Sequence, residues 1–212
     1  MIDTALILAL ISYYTVMFIT PGPNNTMLTI SGIKFGFKKT IPHIFGISIG
    51  HAIQISIICL GFGIIFKQYP LIQVYLKWVC LVYLFYLAWK MIGSIKNHEA
   101  NSGKPLKFIE ASMFQWVNPK AWTIAITVST AFYPSEENYI LAFLFLASFA
   151  TLINLPCISL WALFGASIRK FIDNHIIKKA IEYFFALLLV LTGIYLAFNL
   201  SLIHISEPTR LR

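Results

Sequence analysis

Lys120 stands in the stretch NPKAW, at the centre of an apolar run that holds no acidic residue after Glu110. Counted from Glu110 at helical rise it lies about 15 Å along its helix, close to the middle of a bilayer. Charges at such depth usually face a cavity and mark a transport path, because hydrocarbon leaves them no other solvent. A snorkelling lysine is the bland alternative, but a stem of about 6 Å covers less than half the distance. A second cluster, Pro21, Gly22, Pro23, Asn24 and Asn25, closes the first apolar run. Proline removes a backbone donor and clashes with the preceding turn, so a helix should break there and restart. The restarted helix, with Asn24 and Asn25 as caps, would present amides and a positive dipole end to an anion. Gln115, Asn118, Pro119 and Lys120 form the matching cluster one half-chain later. The chemistry these residues suit is binding a carboxylate in a low-dielectric site. Thr123, Thr127 and Thr130 continue a polar line beyond Lys120.

His51 shares a helix face with Gln54 at i, i+3, and His43 and Ser48 lie nearby. Imidazole titrates near neutrality, so His51 and Lys120 are the candidates for proton coupling, with a hydrogen-bonded helix contact as the competing role for His51. Asn154, two residues before Pro156, reads as a helix-packing polar group. The spacing Gly46-x-x-x-Gly50 reads as a close helix contact. No Asp or Glu lies deep in an apolar run, so a carboxylate relay is not expected. Cys59, Cys80 and Cys157 are scattered through apolar runs without metal or redox spacing and read as packing residues. No catalytic constellation, cofactor motif or metal-ligand set is visible.

Groups at this depth need elements that hold them there. The chain has 212 residues, 58% hydrophobic and only 11% charged, with a mean hydropathy of +0.78, well above that of a soluble domain. Six apolar runs are long enough to span a bilayer, at residues 4–20, 41–66, 71–92, 111–133, 140–168 and 180–199. None alternates as a barrel strand would. The first run opens MIDTALI, without a basic leader region, and reads as a span rather than a signal peptide. The net charge of +8 invites a nucleic-acid reading, but its distribution is topological. Lys34, Lys38, Lys39, Lys90, Lys96, Lys104, Lys107, Arg169, Lys170, Lys178 and Lys179 fall on one set of connections. Lys67, Lys77 and the acidic YPSEEN fall on the other. Bases mark the cytoplasmic side, which puts both termini outside the cytoplasm.

The fold expected is all-α: a polytopic membrane protein of six transmembrane helices, arranged as two inverted three-helix repeats with proline-broken first and fourth helices. Repeat one covers residues 1–93, a linker 94–107 and repeat two 108–199, together one transmembrane domain. An odd number of spans per repeat inverts the second copy, and broken helices at corresponding positions point to a site at the repeat interface. After residue 199 the chain ends LSLIHISEPTRLR, of which LSLIHISEPTR resembles a translated sequencing-library adapter. Residues 200–212 are therefore read as an artefactual tail and carry no functional weight.

PGPNNTM, SGIKFGFKK, YLFYLAWKM and FQWVNPKAW together resemble the LysE/RhtB family of bacterial amino-acid exporters, over residues 1 to about 199. The resemblance implies six spans in the bacterial inner membrane and efflux of small amino acids coupled to the proton gradient. The wording FQWVNPKAW is most similar to members handling cysteine-like and O-acetylserine-like substrates. The substrate site expected from the two broken spans is Pro21, Gly22, Pro23, Asn24, Asn25, Gln115, Asn118, Pro119 and Lys120. Cys80 and Ala111 replace frequent family glycines, which predicts looser helix packing there, and AFYPSE departs from the family's ending of the fourth span. The expected partners are a small amino-acid substrate, protons and the lipid bilayer, with nucleic acid excluded and a homodimer left open. Competing functions are an intramembrane enzyme, for which no acid/base pair or nucleophile is present, a small-solute or metal-cation transporter or channel, and a non-transporting membrane subunit.

Overall fold

The computed structural model describes residues 4–62, 68–93, 95, 104–132, 139–172 and 174–203. All its elements are helical: α1 (Thr4–Ile19), α2 (Pro23–Phe35), α3 (Phe37–Ile57), α4 (Pro70–Met91), α5 (Phe108–Phe114), α6 (Pro119–Ala131), α7 (Tyr139–Ile168) and α8 (His175–Ile203). Three described stretches are long and apolar enough to cross a membrane: Phe37–Gly61, Val74–Met91 and Ile140–Phe171. The pair α1 and α2, bent by 52° at its break, makes a fourth if taken as one span. Large apolar side chains point outward on every long helix. Trp89 is 80% exposed, Leu152 70% and Val16 57%, an arrangement that water would penalise and lipid solvates. The protein is an all-α, multi-pass membrane protein.

The breaks fall where proline dictates. Both α2 and α6 start with proline at their first helical position, Pro23 after Gly22 and Pro119 after Asn118, where the missing N–H costs nothing. α2 turns into α3 through Gly36 alone, whose φ of 80° is a left-handed conformation suited to glycine. α3 ends in a wide turn, Ile58–Phe62, and helix α8 continues past residue 199 to Ile203. The acidic YPSEEN and most of the linker lie outside the described residues.

The thirty-residue α7 is the central post, with α1, α2 and α3 packed along it, while α4 pairs with α8. Glycines allow the closest approaches. A Cβ added at Gly32 would stand 2.3 Å from Ala162 O, and one at Gly165 2.1 Å from Thr29 O, so α2 and α7 touch backbone to backbone. Gly46 and Gly50 do the same for α3 against α5, at Phe108 and Ser112. The looser packing expected at Ala111 is not found. Ala111 is fully buried and its methyl fits because Gly46 lies opposite. Glu182, early in α8, is buried and accepts from the amides of Gly93 (3.0 Å) and Ile95 (2.7 Å), anchoring the chain where it leaves α4.

Candidate functional site

The two breaks meet. Between them lies a small open pocket, lined by Gly22, Pro23, Asn24 and Asn25 from the first break and Asn118 and Lys120 from the second. Met17 and Phe18 of α1, His51 of α3, Ala121 and Ile124 of α6, and Asn154 and Ile158 of α7 complete the wall. Of the residues singled out in the sequence, Pro21, Gln115 and Pro119 stand outside the lining. Pro21 is exposed, while Gln115 and Pro119 are buried behind the wall. Asn154, expected only as a packing group, lines the cavity. Its signal in the sequence was a polar residue beside a proline in an otherwise apolar helix.

The Lys120 ammonium does not snorkel. It donates to Thr20 O (2.9 Å), Thr20 Oγ1 (2.7 Å) and Pro21 O (3.3 Å), the carbonyl end of α1, where a cation is favoured by the dipole. Its stem lies over Gly22, where a Cβ would come 3.0 Å from Lys120 Cδ and 3.4 Å from Nζ. Gly22 is in extended backbone that any residue adopts, so its role is space. Gly22→Ala should therefore displace the flexible lysine stem and lower transport several-fold without unfolding the protein, readable as an unchanged detergent-solubilised yield with reduced export.

The asparagines do not cap α2. Its N-cap is Gly22, without a side-chain cap. Asn25 instead reaches back to Phe18 O (2.9 Å) and Thr20 O (2.7 Å), satisfying carbonyls that the break would strand in hydrocarbon. Trp161 Nε1 takes Ile19 O (3.1 Å). Asn24 pairs amide to amide with Gln115: Nδ2 donates to Gln115 Oε1 (2.9 Å), and Gln115 Nε2 donates to Asn24 Oδ1 (3.2 Å). Asn118 is a true cap, accepting from Lys120 N at 3.1 Å. The network then runs inward. Gln115 O accepts from Gln54 Nε2 (3.1 Å), and Gln54 Oε1 lies 3.1 Å from His51 Nδ1. The threonine line is less open than its spacing suggested, since Thr123 and Thr130 hydrogen-bond carbonyls of their own helix. Among the described residues no three His, Cys, Asp or Glu side chains cluster as metal ligands.

Comparison with known proteins decides the family. The model of the LysE type translocator matches residues 15–200. The chain belongs to the LysE family. Its members are exporters of small molecules and amino acids, not enzymes. The cysteine/O-acetylserine efflux protein of Salmonella typhimurium (strain LT2) is 28% identical over 183 residues, covering 84% of this chain and 91% of that one. The protein of the same description from Escherichia coli (strain K12) is 28% identical over 122 residues, 57% of this chain and 62% of that one. No solved structure matches the chain. For this LysE-family chain, the breaks at PGPN and NPKA are thus not two separate kinks, since residues of both line one cavity.

Proposed function

We propose that this protein is a secondary exporter of a small zwitterionic amino acid, working in the bacterial inner membrane by proton antiport. The observation that carries this is the convergence of two proline-started helices and one lysine on a single cavity. The substrate's carboxylate approaches the Lys120 ammonium and the first amides of α2, those of Asn24 and Asn25, since Thr26 N is already bonded to Gly22 O. An isolated carboxylate in low dielectric is very costly, and one ammonium with one helix N-terminus offsets that cost. The amide pair Asn24–Gln115 joins the breaks and keeps this geometry. The paired starts, Gly22-Pro23 and Asn118-Pro119, support an architecture of two inverted three-helix repeats. The efflux proteins similar to this chain point to cysteine or O-acetylserine as the first substrates to try.

The test is export from cells overproducing each amino acid of a panel that includes these two, with and without the gene. External accumulation should rise with the gene and collapse when an uncoupler removes the proton gradient. Accumulation unchanged for every compound would overturn the reading.

The topology that goes with it has Lys38 and Arg169 in the cytoplasm and Tyr69 outside. With Cys59, Cys80 and Cys157 replaced, Lys38→Cys and Arg169→Cys should react with an impermeant maleimide only in inside-out vesicles. Tyr69→Cys should react in intact cells, and the reverse pattern would invert the protein.

Asn24→Ala should weaken transport less than loss of Lys120, because it removes a neutral hydrogen-bonded pair of about 1 kcal/mol rather than a charge. A five- to tenfold rise in the half-saturating substrate concentration is expected.

A further inference from the structure

The same cavity has other polar lining residues. His51 and Asn154, each 2% exposed, line it from α3 and α7, and His51 Nε2 and Asn154 Oδ1 have no hydrogen-bond partner in the protein. Buried polar atoms are rarely left so. The direction of the bonds around His51 follows from one fixed point. Gln115 O can only accept, so Gln54 turns its amide nitrogen to it and its Oε1 to His51. His51 Nδ1 is therefore the donor, and in the neutral ring Nε2 carries the lone pair. Phe18 holds the ring edge to face, with centroids 5.6 Å apart, and its own ring borders the cavity. The lining thus combines the Lys120 ammonium and the start of α2 with two residues that carry unpartnered acceptors, His51 and Asn154, and the Phe18 ring. None of the lining residues is Asp or Glu.

We propose that His51 Nε2 and Asn154 Oδ1 form the subsite for the substrate's ammonium group, and that a proton on His51 and the bound substrate exclude one another there. The proposal rests on the reading that the cavity binds an amino acid. Two neutral acceptors suit an ammonium, which has three donors and no acceptor. A proton on Nε2 turns that acceptor into a donor and adds a like charge, so binding of one species drives off the other. That mutual exclusion is what antiport needs, and it needs no carboxylate. The groups that could compete with His51 are few. Lys120 faces the cavity from α6, and losing its proton would weaken carboxylate binding, so it acts with the opposite pH sign. Tyr14 of α1, stacked on Phe18, has its hydroxyl on Leu146 O at 3.0 Å. On α7, Cys157 adjoins the lining residue Ile158, and His43 lies two turns away along α3.

The experiment is equilibrium binding of O-acetyl-L-serine, L-cysteine and N-acetyl-L-serine to the purified full chain in detergent. N-acetyl-L-serine keeps the carboxylate but has no ammonium, and should bind on the order of 100-fold more weakly than its isomer, as sites built around a polar group reject partners lacking it. As the pH is lowered until His51 protonates, affinity of the unaltered protein for O-acetyl-L-serine should fall, approaching tenfold per unit. His51→Gln should bind with a flat pH profile, and Asn154→Leu should lose at least tenfold in affinity while keeping the wild-type profile. If the unaltered protein binds neither O-acetyl-L-serine nor L-cysteine, the transport reading falls and this proposal with it. If it binds them, but with a flat pH profile or with equal affinity for N-acetyl-L-serine, the proposal alone is overturned. The profile is read on the unaltered protein, so a variant that fails to fold leaves the proposal open to refutation.

Discussion

Lys120→Met should abolish export while the protein still inserts. The ammonium is the only charge among the described residues that line the pocket, and a substrate anion brought there without it meets the desolvation cost uncompensated. Removing one partner of a buried charged pair costs about 3–5 kcal/mol, which predicts a loss of transport on the order of 100-fold or more. The fold should suffer less. Thr20 O keeps its bond from Asn25. Lys120→Arg should retain part of the activity, since the charge survives while a planar, bulkier head has to pass over Gly22. The measurement is export per unit of protein in the membrane fraction. A normal rate for the Met variant would move the carboxylate site away from these breaks and leave Lys120 as a cap for α1 alone.

Gly165→Val should prevent accumulation of folded protein. Its Cβ would lie 2.1 Å from Thr29 O, 2.8 Å from Thr29 C and 2.9 Å from Thr29 Cα, all backbone atoms that no side-chain rotation can move. α2 and α7 would have to separate by about an ångström or more, and Gly32 against Ala162 would come apart with them. Overpacking commonly costs 1–3 kcal/mol, and a backbone-to-backbone contact belongs at or above the top of that range. Gly165→Ala is the milder version, expected to lower the Tm of the detergent-solubilised protein by several degrees. The damage should extend to function, because α2 carries Asn24 and Asn25 and α7 carries Asn154, on separate walls of the cavity. A Gly165→Ala protein as stable and active as the parent would show that α2 and α7 do not touch as described.

Local chemistry is what the sequence determined by itself. Proline acts on its own turn, so the restarts at Pro23 and Pro119 could be placed from Thr20–Met27 and NPKAW alone, and apolar length alone marked the long helices. The glycines at 46 and 50 were legible as a helix contact for a related reason: a missing side chain matters only where another backbone comes near. Partners were a different matter. A break frees carbonyls and amides, but which group satisfies them depends on what packs alongside. Asn25 was read forward, as a cap for the helix it begins, and the fold turns it back onto Phe18 and Thr20. Asn24 meets Gln115 across 91 positions, and Lys120 meets Thr20 across 100. Asn154 looked like a packing residue because its own helix is apolar, and only the approach of α1, α3 and α6 puts a cavity in front of it. Proline rules are short-ranged, whereas a buried polar atom takes whatever donor or acceptor the tertiary packing brings within about 3 Å.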